Sequence, residues 1–158
     1  MSNLIAPGSS ADVNVKVTAL TTNLNVPVTY KTVILKKNLV NGVNTLTQEM
    51  MSAQNTKYVI KYDYVLGEDI TIPENCVLEF DCGSISANNS DYTITGQNTC
   101  IKAELVKIFN TDITLAGTWN VAEAYPEWFG AVGDGKTDDW LPIQSTGTDY
   151  AGCEHFAQ

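Results

Sequence analysis

Asp134, Asp138 and Asp139 stand within a six-residue span of this chain, between glycines on one side and an apolar run on the other. Carboxylates so close together could hold a calcium ion or divide acid and base duties. A calcium site, however, needs several oxygens converging from a shaped loop, and a glycosidase needs two carboxylates held across a cleft. The neighbouring residues offer a plainer duty. Gly133 and Gly135 flank Asp134 and can supply a turn with positive φ at no Cβ cost. Thr137, Asp138 and Asp139 are helix N-cap chemistry, able to accept from the free N–H groups of a following turn. Pro142 suits a first helical turn, and Trp140, Leu141 and Ile143 give that helix an apolar face. Turn and cap duty accounts for all three carboxylates, and no metal or cofactor is expected.

The remaining reactive types point the same way. His155 is the only histidine and has no evident partner for a triad. Cys76, Cys82, Cys100 and Cys153 have neither zinc spacing nor the density of a disulfide framework. Cys76 and Cys100 sit in apolar, strand-like company, where a thiol behaves as a small hydrophobe, so reduced structural thiols are expected. Trp119, Tyr125, Trp128, Phe129 and Trp140 could form a sugar-stacking platform. They interleave with the glycine turn and the helix start, which favours packing at the covered end of a fold.

The composition narrows the partners. The chain has 158 residues, nine lysines, eighteen acids and no arginine, for a net charge of −9. Without the bidentate guanidinium fork, nucleic-acid binding is not expected. Residues 1–60 carry five lysines against Asp12 and Glu49, whereas residues 61–158 carry four lysines against sixteen acids. A mildly basic base bearing an acidic body is the expected layout. No apolar window is long enough for a transmembrane helix, and the first residues lack the pattern of a secretory signal.

Stepping along the chain, residues 1–40 read as an arm followed by a β attachment region. Val13, Val15, Val17, Leu24, Val26 and Val28 alternate with other residues as in strands with one buried face. They are the expected attachment or subunit interface. Residues 41–56 read as a linker around Asn41-Gly42 with a short helix capped by Asn44 or Thr45. Over 57–120 strand follows strand, at 58–65, 70–72, 76–80, 84–86, 92–95, 100–106 and 113–115, with Gly, Asn and Pro between them. Tyr58, Tyr62 and Tyr64 share one parity and are expected on one face. No fixed repeat of 20–50 residues is visible. Residues 121–144 read as strand, turn and helix, and 145–158 as a tail without assigned structure. The expected class is all-β: a short N-terminal β region, then the first irregular coils of a right-handed parallel β-helix, with one or two short helices.

Phe129-Gly130-Ala131, Gly133-Asp134-Gly135, Thr137-Asp138-Asp139 and Ile143-Gln144 together resemble the opening signature of the pectate-lyase-like superfamily of right-handed β-helices. Residues 58–120 also resemble the leaders of large surface and phage tail proteins of gut Bacteroides-type bacteria and their viruses. The resemblance implies that the motif residues are structural and that any catalytic or receptor-binding region lies beyond Gln158. It implies a virion protein made in the host cytoplasm, homotrimeric, joined to other tail or collar proteins, and meeting a host glycan or receptor only through a longer chain. Two alternatives remain beside a tail fibre or tailspike segment: a truncated polysaccharide lyase or hydrolase, and a bacterial surface adhesin stub.

Overall fold

A computed structural model describes residues 29–88 and 90–149, with backbone alone for 146–149. The chain forms an all-β, right-handed parallel solenoid of about four turns. Its strands are β1 (Lys31–Ile34), β2 (Leu39–Val40), β3 (Val43–Leu46), β4 (Thr56–Ile60), β5 (Tyr64–Leu66), β6 (Ile70–Thr71), β7 (Val77–Phe80), β8 (Ile85–Ser86), β9 (Tyr92–Lys102) and β10 (Ile113–Trp119). Short 3-10 turns occupy Gln48–Met51 and Pro126–Phe129, and one helix, α1, spans Trp140–Asp149.

Three faces wind round one core. The first stacks β1, β4, β7 and the end of β9 in parallel. The second stacks β3, β5 and β8, and Phe109 adds a bridge to Ile85. The third stacks β6, the start of β9 and β10. Alternation places one residue in two inside, and parallel register then stacks like on like. Tyr58 lies beside Leu78 and Leu78 beside Ile101; Ile70 lies beside Ile94 and Ile94 beside Leu115. Phe80 meets Phe109 edge-on at 5.3 Å, and Phe109 meets Phe129 at 5.8 Å. Each coil covers the apolar face of the next, which none could bury alone.

The corner between the third face and the first repeats. Gln54-Asn55-Thr56, Glu74-Asn75-Cys76 and Gln97-Asn98-Thr99 occupy it in successive coils. Each asparagine has positive φ (51°, 55° and 53°), and the residue after it is fully buried. Asparagine tolerates this left-handed turn better than other non-glycine residues. The Asn55 N–H donates to Glu74 O and the Asn75 N–H to Gln97 O, both at 3.0 Å. The Asn98 side-chain amide donates to Asn75 Oδ1 at 2.7 Å.

Several expected elements take other forms. The expected helix after Thr45 is β3 followed by a single 3-10 turn, because Leu46 pairs beside Leu66 as a strand rung. The Gln48 amide then imitates a peptide group: its Oε1 accepts from the Thr71 N–H at 2.7 Å and its Nε2 donates to Thr71 O at 2.9 Å. The expected strand 58–65 breaks at 61–63, where the chain turns from the first face to the second. Tyr58 and Tyr64 therefore point into the core from different faces, and Tyr62 is exposed. The strands expected at 92–95 and 100–106 are joined as β9, which ends at Lys102. The apolar run at 128–132 is no strand: Trp128 and Phe129 end a 3-10 turn begun by Pro126 and stopped by Gly130 at φ 96°, and 131–132 continue without regular structure.

Candidate functional site

The N-terminal edge of the solenoid is the candidate attachment surface. β1 pairs with β4 on one side, and among the described residues no strand pairs with its other side. β2 and β3 form an antiparallel hairpin at the edge of the second face. Ile34 and Leu39 are 55% and 67% exposed here, and Val40 and Val43 are exposed beside them. Lys31, Lys36 and Lys37 are exposed at the same edge, and the Lys37 ammonium sits 4.8 Å from the centre of the Tyr62 ring. Unpaired strand edges with apolar side chains are templates for another strand. Val13, Val15, Val17, Leu24, Val26 and Val28, the residues expected to complete this surface, lie outside the described residues.

At the other end, the motif residues close and extend the fold. Phe129 is buried against Phe109. The Trp128 carbonyl accepts from the N–H groups of Ile108 and Phe109, and its indole donates to Glu104 O at 3.1 Å. Trp119 is buried over Gly96, where a Cβ would lie 2.8 Å from the indole ring. Gly130 packs against the Lys107 stem, and Gly133 and Gly135 take φ of 66° and 68°.

The three carboxylates face different N–H groups. Asp134 Oδ1 accepts from Lys136 and Thr137 N–H at 2.9 and 2.7 Å, and its Oδ2 from the Thr137 hydroxyl at 3.1 Å. Those donors, Thr137 first and then Lys136, hold the Asp134 carboxyl below its ordinary range. Asp138 Oδ1 accepts from the Trp140 N–H at 3.1 Å at the start of α1. Asp139 reaches back, accepting from the Val132 N–H at 2.9 Å and the Gly133 N–H at 2.8 Å. Among the described residues no group of three or more His, Cys, Asp or Glu side chains could hold a metal ion. Thr137, expected among the cap residues, instead gives its hydroxyl to the Asp134 turn. Trp140 departs from the packing expected for the aromatic group: with Leu141 and Ile143 it is exposed, while Pro142 is the buried residue of that turn.

The outer surface of the first face carries paired charges. Glu79 Oε2 meets Lys102 at 3.0 Å and Lys57 at 3.2 Å, and these two hydrogen bonds lower its pKa. Lys61 meets Asp81 at 3.2 Å. Asp81 and Glu104 line a groove between the first and second faces with Phe80, Cys82, Val106 and Lys107. Cys76 is a free, buried thiol and Cys100 a free, half-buried one, and burial raises the pKa of both. Cys82 departs from this pattern: it is exposed, at φ 70°. Cys153 and His155 lie outside the described residues.

Sequence reasoning missed the asparagine corners, the Gln48 amide and the buried Tyr58 hydroxyl. Only the corners left a signal, in the recurrence of Gln or Glu before Asn and of Thr or Cys after it. Comparison of the chain with protein-family models, with curated proteins and with solved structures finds no match.

Proposed function

We propose that this chain is a virion structural segment: the particle-proximal start of a bacteriophage tail fibre or tailspike. It forms a homotrimer, joins tail or collar proteins through its first forty residues, and carries a β-helix outward from residue 144. A host glycan or receptor is met by a longer chain, not by this segment. The observation that carries this reading is the open β1 edge, with its exposed apolar residues and lysines, at the opposite end from the turn and helix of the pectate-lyase-like motif. Strand addition to such an edge supplies main-chain hydrogen bonds and apolar pockets together.

Assembly is the test. A chain lacking residues 2–40 should form the 57–140 solenoid yet fail to join the particle, whereas the intact chain should sediment as a trimer. Incorporation of the deleted chain at the intact level would overturn the attachment role. Polysaccharide cleavage by the purified chain, lost on substituting Asp81 or Glu104, would replace it with the enzyme reading.

A further inference from the structure

We propose that Asn41–Gly42 is a site of spontaneous deamidation, which remodels the hairpin at the N-terminal edge. Val40 pairs with Val43, so Asn41 and Gly42 alone make the turn. Their φ values of 51° and 84° match the type I′ geometry that favours Asn-Gly in two-residue hairpins. Both residues are exposed.

Deamidation begins when a backbone nitrogen attacks the preceding asparagine side chain. Here the nucleophile is Gly42 N and the electrophile Asn41 Cγ. A new C–N bond closes a five-membered imide, the Cγ–Nδ2 bond breaks, and ammonia leaves with the proton lost by Gly42 N. Water then opens the ring at either carbonyl, giving an isoaspartyl or an aspartyl residue. Among the described residues no backbone carbonyl holds the Gly42 N–H, and a Cβ at Gly42 would meet nothing within 4 Å. The space beside the Gly42 Cα is open. Closure requires Asn41 to leave its turn conformation, and a hairpin of two residue pairs at a sheet edge opens at little cost.

Three other left-handed asparagines are internal controls. Asn55, Asn75 and Asn98 precede Thr56, Cys76 and Thr99, which are fully buried. Asn75 and Asn98 are also tied to each other through their side chains. A bulky, buried following residue hinders the attack that Gly42 permits.

The isoaspartyl product inserts a backbone methylene into a two-residue turn. That shifts the pairing of Leu39 with Asn44 and loosens Asn44, which accepts from the Asn38 N–H and donates to Asp63 O. The inference rests on this hairpin and is independent of the fibre reading.

The test is timed peptide mapping of the full chain, incubated folded in mildly alkaline buffer, with fragmentation that distinguishes isoaspartyl from aspartyl. Conversion at Asn41 should run severalfold ahead of Asn55, Asn75 and Asn98, mostly to isoaspartyl, and Asn41→Gln should abolish the modification there. Loss of amide at the three corner asparagines as fast as at Asn41 would overturn the proposal. Conversion of Asn41 only in urea would overturn it equally, because the folded turn would then be protective.

Discussion

Replacing Tyr58 by Phe removes one oxygen from the core and tests how the coil corners are held. The hydroxyl donates to Ala53 O at 2.9 Å and accepts from the Ala53 N–H at 2.8 Å, and the side chain is 1% exposed. One hydroxyl thus meets both backbone polar groups of Ala53, just before the Asn55 corner, and the Ala53 carbonyl is shared with the Cys76 thiol at 3.3 Å. A buried donor or acceptor left unpaired costs about 1–3 kcal/mol. Ala53 is half-buried, so water recovers part of that, and a loss of about 2–3 kcal/mol is expected for the two groups together. Tyr64→Phe is the matched control. Its hydroxyl donates to Lys36 O at 3.1 Å and also meets the Asn44 side chain; Lys36 is exposed and Asn44 keeps its bond to Asp63 O, so the loss is about 0.5–1 kcal/mol. Urea unfolding should show the larger drop in midpoint for Tyr58→Phe, with the slope unchanged in both variants. Equal losses, or a larger one at Tyr64, would refute the dependence of the Ala53 backbone on this hydroxyl.

Gly83→Ala should cost more than about 3 kcal/mol, because its Cβ would lie 2.5 Å from Tyr62 O and 2.7 Å from Ile60 O, both rigid backbone atoms; near-normal thermal stability would contradict the corner geometry. Alanine at both Asp138 and Asp139 should cost about 1–2 kcal/mol through the lost cap and the lost bonds to Val132 and Gly133, with no response to chelator. A melting temperature insensitive to the substitutions but lowered by EDTA would reverse that assignment. Burial raises Cys76 and Cys100 above 9.0 and Tyr58 and Tyr64 above 10.0, so the stability of their neutral forms is whole below those values and lost as pH climbs through the folded ones. Thermal scans should therefore fall off on the alkaline side, and a flat profile through the tyrosine range would be inconsistent with these buried groups. Lys102 and Lys57 lower Glu79, whose contribution is present above its ordinary 4.5 and disappears as pH falls through the folded value. Glu79→Gln should accordingly flatten the acid limb.

Alternation made the strands legible and composition made the class legible, yet the winding was hidden. Lys31 pairs with Thr56, Lys57 with Val77 and Val77 with Cys100, steps of 25, 20 and 23 residues. Unequal coils smear any period, because loop lengths between faces vary while the stacked rungs do not. The corners carry the regularity instead, and asparagine is too common in ordinary turns for three of them to stand out before the register is known. Periodicity also misreads residues whose polar ends do backbone work. Gln48 looks like the start of a helix because nothing local reveals that its amide faces Thr71, a partner 23 residues away. Trp140 fails for the opposite reason: an apolar side chain was expected to have a partner, and α1 buries Pro142 in its place.

The two ends of the solenoid differ in a way that bears on how it could be joined to something else. At the far end the Trp128 carbonyl takes the N–H groups of Ile108 and Phe109, which completes the second face, and α1 lies against β10 on the third. A strand approaching the second face there meets satisfied donors, whereas β10 and the end of β9 each keep one side unpaired among the described residues, with α1 beside β10. At the near end β1 offers one whole side of its backbone among the described residues, next to Ile34 and three lysines. Parallel coils are stable only when each is covered by a neighbour, so an edge of this kind is either blunted or used. Charge does not fully blunt it: Lys31 is the only charged residue in β1, and Thr32, Val33 and Ile34 follow it along the strand. The near edge, where the attachment role is proposed, therefore invites a covering strand as the bare side of β10 does, and it differs in being flanked by exposed lysines while the acidic body lies on the other side.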